Sequence, residues 1–489
     1  MKNRDIFVGG KWQQGRGQQM QSRFPGDNHV VATLNSASLE DVEDAVIAAE
    51  KAWRDPKWRH MSSHQRAAIL LKVSTLIDEQ REELVRLQTL DNGKPWAEAR
   101  GLVMSAAATA RYFAAVCEVS GGELPPRRQP DIMTLSTYQP LGVIAAITPW
   151  NSPIASDMQK IAPAIAAGNA VILKPAEATP LVSLKLAELF EQAGLPAGLL
   201  SVLPGKGSII GDALVRHPLV RKISFTGGTN TGRQLAHIAA DKLIGTSLEL
   251  GGKSPTIVLD DADLDLAAHG VCYGIFSSMG QACIAGSRLF VARSVYQAFI
   301  EKLTKLTQGL IIGDPRQERV HIGPLISSAH RDSVIAYVSQ AIAEGGKIRV
   351  GGKVPTDPAL QSGHYFEPTI IEGLTNQAHV CQEEIFGPVL VVIPFDDETS
   401  LIHDANDSIY GLAAGIWTQD YTRAFKLADT LDVGTVWINT YKVFSISTPF
   451  GGFKDSGLGR EKGLESLKAY MQQKSIFLAL NPQPNRWCE

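Results

Sequence analysis

The sequence predicts an α/β protein whose first half builds a doubly wound parallel sheet and whose second half builds a further α/β unit. Short apolar runs of strand length alternate with helices marked at both ends, the alternation restarts after residue 255, and no long Pro/Ser linker divides the two stretches. Residues 41–118 come first and read mainly as helix, with Ile69, Leu70, Val73, Leu76 and Ile77 at helical spacing among Arg, Glu and Lys. From Leu141, the runs Val143-Ile144-Ala145-Ala146-Ile147, Val171-Ile172-Leu173, Ser201-Val202-Leu203 and Ile223-Ser224-Phe225 read as buried parallel strands. Thr179-Pro180 reads as the N-cap and first-turn proline of a helix over 181–193, which Gly194 and Pro196 terminate. Strand, helix, strand in that order specifies a right-handed crossover, and repeating it leaves a ligand crevice at the strand C-termini. The second region starts at Pro255-Thr256-Ile257-Val258-Leu259, runs through helices near 263–279 and 294–310, and reaches strands Val389-Leu390-Val391-Val392 and Thr435-Val436-Trp437-Ile438. Segments 122–140 and 471–489 fit neither sheet and are expected to project.

A chain of 489 residues has room for about three domains. With 44% hydrophobic and 20% charged residues it is neither disordered nor collagen-like. A net charge of −3 without a basic block leaves no electrostatic footprint for nucleic acid or an anionic membrane, so a small-molecule partner is expected. The N-terminus has no apolar signal core, and the longest apolar stretches break well short of ~18 residues, which points to a cytoplasmic protein. Cysteines 117, 272, 283, 381 and 488 are odd in number and lack CxxC spacing, so neither a disulfide framework nor a metal site is expected. His60 and His64 have metal-like spacing, but Ser62-Ser63 reads as a helix start between them.

Cys283, within Ser278-Met279-Gly280-Gln281-Ala282-Cys283-Ile284-Ala285-Gly286, follows a helix and is flanked by small residues that leave room for a substrate, which makes it the candidate nucleophile. The competing reading is a buried structural thiol. Glu249, in Glu249-Leu250-Gly251-Gly252-Lys253, offers a carboxylate base ahead of a flexible Gly pair, or simply a solvated or capping carboxylate. Gly205-Lys206-Gly207-Ser208-Ile209-Ile210-Gly211 follows a strand but is one residue longer than the usual dinucleotide fingerprint.

Seven motifs in order give the chain a resemblance to the aldehyde dehydrogenase superfamily. They are Thr148-Pro149-Trp150-Asn151, Lys174-Pro175-Ala176-Glu177, Phe225-Thr226-Gly227, Glu249-Leu250-Gly251-Gly252-Lys253, Gly280-Gln281-Ala282-Cys283, Glu383-Glu384-Ile385-Phe386-Gly387-Pro388 and Pro449-Phe450-Gly451-Gly452-Phe453-Lys454. The resemblance covers nearly the whole chain and implies a Rossmann-type NAD-binding domain (1–121 and 141–251), a second α/β catalytic domain (252–455) and a small β oligomerisation element (122–140 and 471–489) of a homodimer or homotetramer. It implies that Cys283 attacks an aldehyde, that the Asn151 amide and the Cys283 N–H hold the oxyanion, and that a water activated by Glu249 hydrolyses the thioester. Glu461 resembles the second carboxylate that relays the proton outward, whereas Lys160 and Lys253 are read as structural or relay-related.

For NAD, the resemblance places Lys174 and Glu177 at the adenosine ribose, Trp150 beside the dinucleotide, and Gly207, Gly211, Phe225 and Gly227 where its backbone approaches. Glu384 falls at the nicotinamide ribose and Phe386 near the nicotinamide. The Glu177 carboxylate is expected to favour NAD over NADP. Gly228 departs from the frequent serine after Phe-Thr-Gly, so backbone N–H groups or Thr229 would replace a hydroxyl contact. Positions lining the substrate tunnel hold Ser152, Ala155, Ser156, Gln159 and Ser277, with Phe444 and Phe450 as an aromatic wall, which points to a polar aldehyde. Lys442 at the mouth would favour an anionic tail unless it points to solvent or is neutralised by Asp157. The rival functions are a CoA-acylating semialdehyde dehydrogenase, against which Glu249 argues, and a non-catalytic structural or binding homologue, against which Cys283, Glu249 and Asn151 argue. A cysteine hydrolase would need an activating histidine, and none sits in a fitting motif.

Overall fold

The structure, a computed structural model, describes residues 5–485 and Trp487. Cys488 and the extreme ends of the expected terminal segments lie outside the described residues.

Helices Leu39–Arg54, Pro56–Arg59, Ser63–Glu79, Arg81–Asn92 and Trp96–Val119 form the lead segment. Ser38 and Ser62 each close a capping box with the residue three positions on, Asp41 and Gln65. The Ser62 cap separates His60 from His64, so the two imidazoles share no helix face. Trp96–Val119 is long and apolar enough to cross a membrane, with mean hydropathy 1.3, where the sequence reading placed no such stretch. Its Ala99, Val103, Ala106, Ala110 and Phe113 are buried in the first core, the stripe of an amphipathic core helix.

The first large sheet runs Lys11–Gln13, Ile6–Val8, Leu200–Val202, Ala170–Lys174, Val143–Ile147, Val220–Thr226, Gly245–Glu249, Gly457–Leu458. Its middle five strands are parallel and include all four expected ones. Helices cover both faces, which is why the two central strands Val143–Ile147 and Ala170–Lys174 read as near-continuous apolar runs. Strand order reverses between Val143–Ile147 and Val220–Thr226, so the ligand crevice belongs beyond their C-terminal ends. The expected helix over 181–193 is Leu181–Gln192, but Thr179 does not cap it. The buried Asp91 carboxylate accepts from the N–H groups of Leu181 (2.8 Å) and Val182 (3.2 Å), a cap supplied from 90 residues away in sequence.

The second sheet runs Lys347–Val350, Thr369–Glu372, Val389–Phe395, Arg288–Ala292, Pro255–Val258, Ala413–Trp417, Thr435–Ile438, parallel except for its first pair. Arg288–Ala292 sits at its centre although it begins with a charge. The Arg288 guanidinium is satisfied by the carbonyls of Lys253, Asp404 and Ala405 and the Asn376 amide oxygen. The helix expected near 263–279 ends at Phe276, and a short turn, Ser277–Gly280, follows with Ser278 and Met279 in left-handed backbone. The two projecting segments pair with each other: Ile132–Pro140 runs antiparallel to Met471–Ala479, whose residues are almost all exposed.

Candidate active site

A cleft of ≈ 890 Å³ opens at the switch point, lined by Trp150, Lys174, Glu177, Gly207, Gly211, Phe225 and Gly227 among others. Lys174 ends its strand nearly buried, and desolvation lowers its pKa to about 8 against the opposing pull of Glu177. Glu177 is exposed and accepts from the Gly207 N–H at 3.2 Å. Gly228 starts helix Thr229–Lys242 without a side-chain cap, and a Cβ there would meet nothing within 4 Å. The Thr229 hydroxyl already accepts from the Gly251 N–H (3.4 Å), so backbone N–H groups are what the helix presents to the cleft. Glu384 and Phe386 lie outside this lining. Glu384 accepts from the Gly252 N–H (3.0 Å), and burial raises its carboxyl to about 7. Phe386 meets Trp150 edge-on at 5.2 Å, and the His330 Nε2–H donates to the Phe386 carbonyl at 2.8 Å.

Cys283 follows the left-handed Ser278-Met279 turn, which two residues of the lead segment pin in place. Glu98 accepts from the Ser278 N–H (2.9 Å) and hydroxyl (2.6 Å), while the buried Lys94 ammonium donates to the same hydroxyl at 2.6 Å. Asn151 arrives from the other sheet and donates one amide N–H to the Gln281 carbonyl at 2.9 Å, two residues before the thiol. Gly252 is required by close approach, since a Cβ would come within 2.3 Å of the Cys283 carbonyl. The thiol is half-buried, and burial, then Glu384 and Glu249, push its pKa up to about 12, so it is protonated at rest.

Glu249 ends its strand buried, and neither of its carboxylate oxygens has a hydrogen-bond partner among the described residues. Desolvation first, and then the charge of Glu461, hold its pKa well above the usual carboxylate range. Glu461 is itself buried and ion-paired with Lys160, whose ammonium also reaches the Ser224 hydroxyl at 3.4 Å. Ser224 shares a hydrogen bond with the Tyr470 hydroxyl at 2.9 Å, so a buried polar chain runs inward from Glu461.

On the substrate side, the Ser152 and Ser156 hydroxyls hydrogen-bond at 3.0 Å, and Gln159 is partly buried on the same helix, Pro153–Ala166. Phe444 meets Phe450 edge-on at 5.5 Å and Trp437 at 5.5 Å, and Phe450 packs with Cys283 on the cluster of Ile284, Leu412, Trp437 and Tyr441. Lys442 does not point to solvent. Its ammonium donates to Ser277 at 2.7 Å, and burial lowers its pKa to about 8. Asp157 does not neutralise it, because that carboxylate is buried and accepts from Ser183 at 2.6 Å; the acid that acts on Lys442 is Glu98. The sequence reading missed Lys94, Glu98, His330 and Lys462. Lys94 and Glu98 stand four apart like an ordinary surface pair. Lys462, directly after Glu461, is a charge inside a buried stretch, which is the only sequence signal it offers.

The aldehyde dehydrogenase family model matches residues 12–476. A betaine aldehyde dehydrogenase of Bacillus subtilis is 38% identical over 99% of both chains. A phenylacetaldehyde dehydrogenase of Pseudomonas fluorescens is 40% identical over 97% of this chain and 95% of its own. The solved betaine aldehyde dehydrogenase of Staphylococcus aureus in complex with NAD+ superposes with a TM-score of 0.97 at 37% identity, covering 99% of this chain and 96% of its own. Like these proteins, the chain belongs to the aldehyde dehydrogenase family.

Proposed function

We propose that this enzyme oxidises an aldehyde to the carboxylic acid with NAD, using Cys283 as nucleophile and Glu249 as the base for hydrolysis. The observation that carries the reading is the meeting of Cys283, the Asn151 amide and the unpartnered buried Glu249 carboxylate near the switch-point cleft. The cleft suits a dinucleotide: it offers uncapped helix N–H groups beside Gly228, two glycines without Cβ atoms, and Lys174 with Glu177 at one end. NAD, when bound there, takes up the hydride that leaves the substrate carbon.

Each side chain then has one task. The Cys283 sulfur forms a bond to the aldehyde carbon as its proton passes to solvent water, and the alkoxide so formed is held by the Cys283 N–H and the Asn151 N–H not engaged by Gln281. Loss of hydride leaves a thioester on Cys283. Glu249 takes a proton from water as that water attacks the thioester carbon; the C–S bond breaks, and the departing thiolate takes the proton of the released acid, leaving a carboxylate product and the thiol restored. Glu461 with Lys160 carries the proton away from Glu249. Ser152, Gln159, Phe444 and Phe450 shape the tunnel, and Glu384 with Phe386 backs the nicotinamide end.

We divide the chain into an NAD-binding domain (1–121 and 141–251), a catalytic domain (252–455) and an oligomerisation ribbon. The ribbon's exposed Ile476, Phe477 and Leu478 support a homodimer or homotetramer paired along that strand. Four free cysteines among the described residues support a reducing compartment such as the cytoplasm. The test is NADH formation from an aldehyde panel without CoA, with the free acid identified as product. Turnover that depends on CoA, or no turnover of any aldehyde with NAD supplied, would overturn the reading.

A further inference from the structure

Two lysine ammoniums stand beside the nucleophile. Lys462 is only 6% exposed, in left-handed backbone (φ 59°), and makes no hydrogen bond or ion pair among the described residues. Its Nζ instead lies 3.8 Å from the Phe444 ring centroid and 5.3 Å from that of Phe450. Backbone pairing holds it there: Phe450 and Glu461 exchange two 2.7 Å hydrogen bonds, and the Gly463 N–H donates to the Ile446 carbonyl at 2.7 Å. Lys442 approaches from the helix-end side, with Ser277 as its hydrogen-bond partner and the Tyr273 ring at 5.7 Å. Both lysines interact electrostatically with the Cys283 thiol.

Among the described residues no carboxylate forms an ion pair with either ammonium. Glu98 is spent on Ser278 and faces Lys94 as well as Lys442. Glu461 and Glu249 both act on the Lys462 charge, but Glu461 is ion-paired with Lys160, and neither carboxylate forms an ion pair with Lys462 among the described residues. The Lys462 ammonium already covers one face of Phe444, so that face is not open to a cationic substrate.

We propose that the tunnel selects aldehydes bearing an anionic group, such as a carboxylate, held between Lys462 and Lys442, and rejects quaternary-ammonium aldehydes. This rests on the aldehyde-oxidising reading above and adds the substrate class to it. An incoming carboxylate gives the Lys462 ammonium the acceptor that the fold withholds, whereas a trimethylammonium group meets two like charges.

The test compares kcat/KM for succinic semialdehyde, neutral 3,3-dimethylbutanal and its cationic isostere betaine aldehyde, in the wild type, Lys462→Met, Lys442→Met and Lys462→Arg. Wild type should rank them anion, neutral, cation. In each Met variant the anion-to-neutral ratio should fall about tenfold and the cation-to-neutral ratio rise about tenfold, with Lys462→Arg restoring the wild-type order. The wild-type ratios should shrink as salt rises. Because the readout is a ratio within one enzyme, a variant that folds less well still reports. Equal ratios in wild type and both Met variants, or a wild type that prefers betaine aldehyde, would overturn the proposal while leaving aldehyde oxidation intact. Absence of turnover with all three would overturn the reaction reading itself.

Discussion

Replacing Glu249 by Gln separates the two roles that burial forces on this carboxylate. In the folded protein its pKa is raised, by desolvation and then by Glu461, above the ~4.3 of an unfolded glutamate. The native state therefore binds the extra proton at intermediate pH. The stability this gives is fully present below the unfolded pKa and is lost as pH rises through the folded value. A glutamine side chain cannot ionise, so the Glu249→Gln variant escapes that loss. Both carboxylate oxygens are buried without donors, so ionising the wild type costs on the order of several kcal/mol, against about 1–3 kcal/mol for leaving the glutamine amide unpaired. The urea midpoint of Glu249→Gln should accordingly match wild type near pH 5 and exceed it at pH 8–9. Activity should move the other way. Rapid mixing should show a stoichiometric NADH burst followed by a steady state slower by ~10²–10⁴, the scale of a lost general base. A normal steady-state rate, or a stability difference that does not widen with pH, would refute the reasoning. A variant with neither burst nor turnover would assign Glu249 to thiol activation instead of hydrolysis.

Because the Cys283 thiol is pushed up to about 12, its alkylation by iodoacetamide in the absence of cofactor should quicken about tenfold per pH unit from pH 7 to 9 without levelling, and a plateau below pH 8 would show a preformed thiolate. Lys160→Met should cost about 3–5 kcal/mol by stranding buried Glu461, with Lys160→Met/Glu461→Gln recovering most of it; equal losses in single and double variants by urea titration would remove the pair's energetic role. Gly228→Ser places a hydroxyl in open space at the helix start and should tighten NAD binding by about 0.5–1.5 kcal/mol in calorimetry, whereas weaker binding would show the helix N-terminus does not meet the cofactor. Glu177→Ser should raise kcat/KM with NADP relative to NAD by about tenfold or more, and an unchanged ratio would place Glu177 away from the ribose.

Much of this protein is legible in its residue order. Val143–Ile147 and the Val171-Ile172-Leu173 stretch of Ala170–Lys174 are apolar because helices cover both their faces, and that pattern survives without knowledge of the partners. The Ser62 and Ser38 caps are likewise local, since each is completed three residues later. Cys283, Glu249 and the cleft residues Trp150 to Gly227 stand in short motifs that are weak singly, and their joint order along the chain is what carries the family resemblance. Tertiary structure decided whatever depends on a neighbour distant in sequence. Asp91, not Thr179, caps Leu181–Gln192, because a carboxylate from another helix outcompetes the local hydroxyl. Arg288 opens a central strand because four oxygens from three separate segments satisfy it. The charge at the nucleophile was hidden for the same reason: Lys94, Lys442 and Lys462 look like solvated surface lysines in sequence, and only packing against Ser278 and the Phe444 and Phe450 rings buries Lys94 and Lys462, while Ser277 holds a half-buried Lys442. Periodicity reports which face of an element is buried, but the electrostatics of a site depend on which charges long-range contacts bring together, and no local pattern records that.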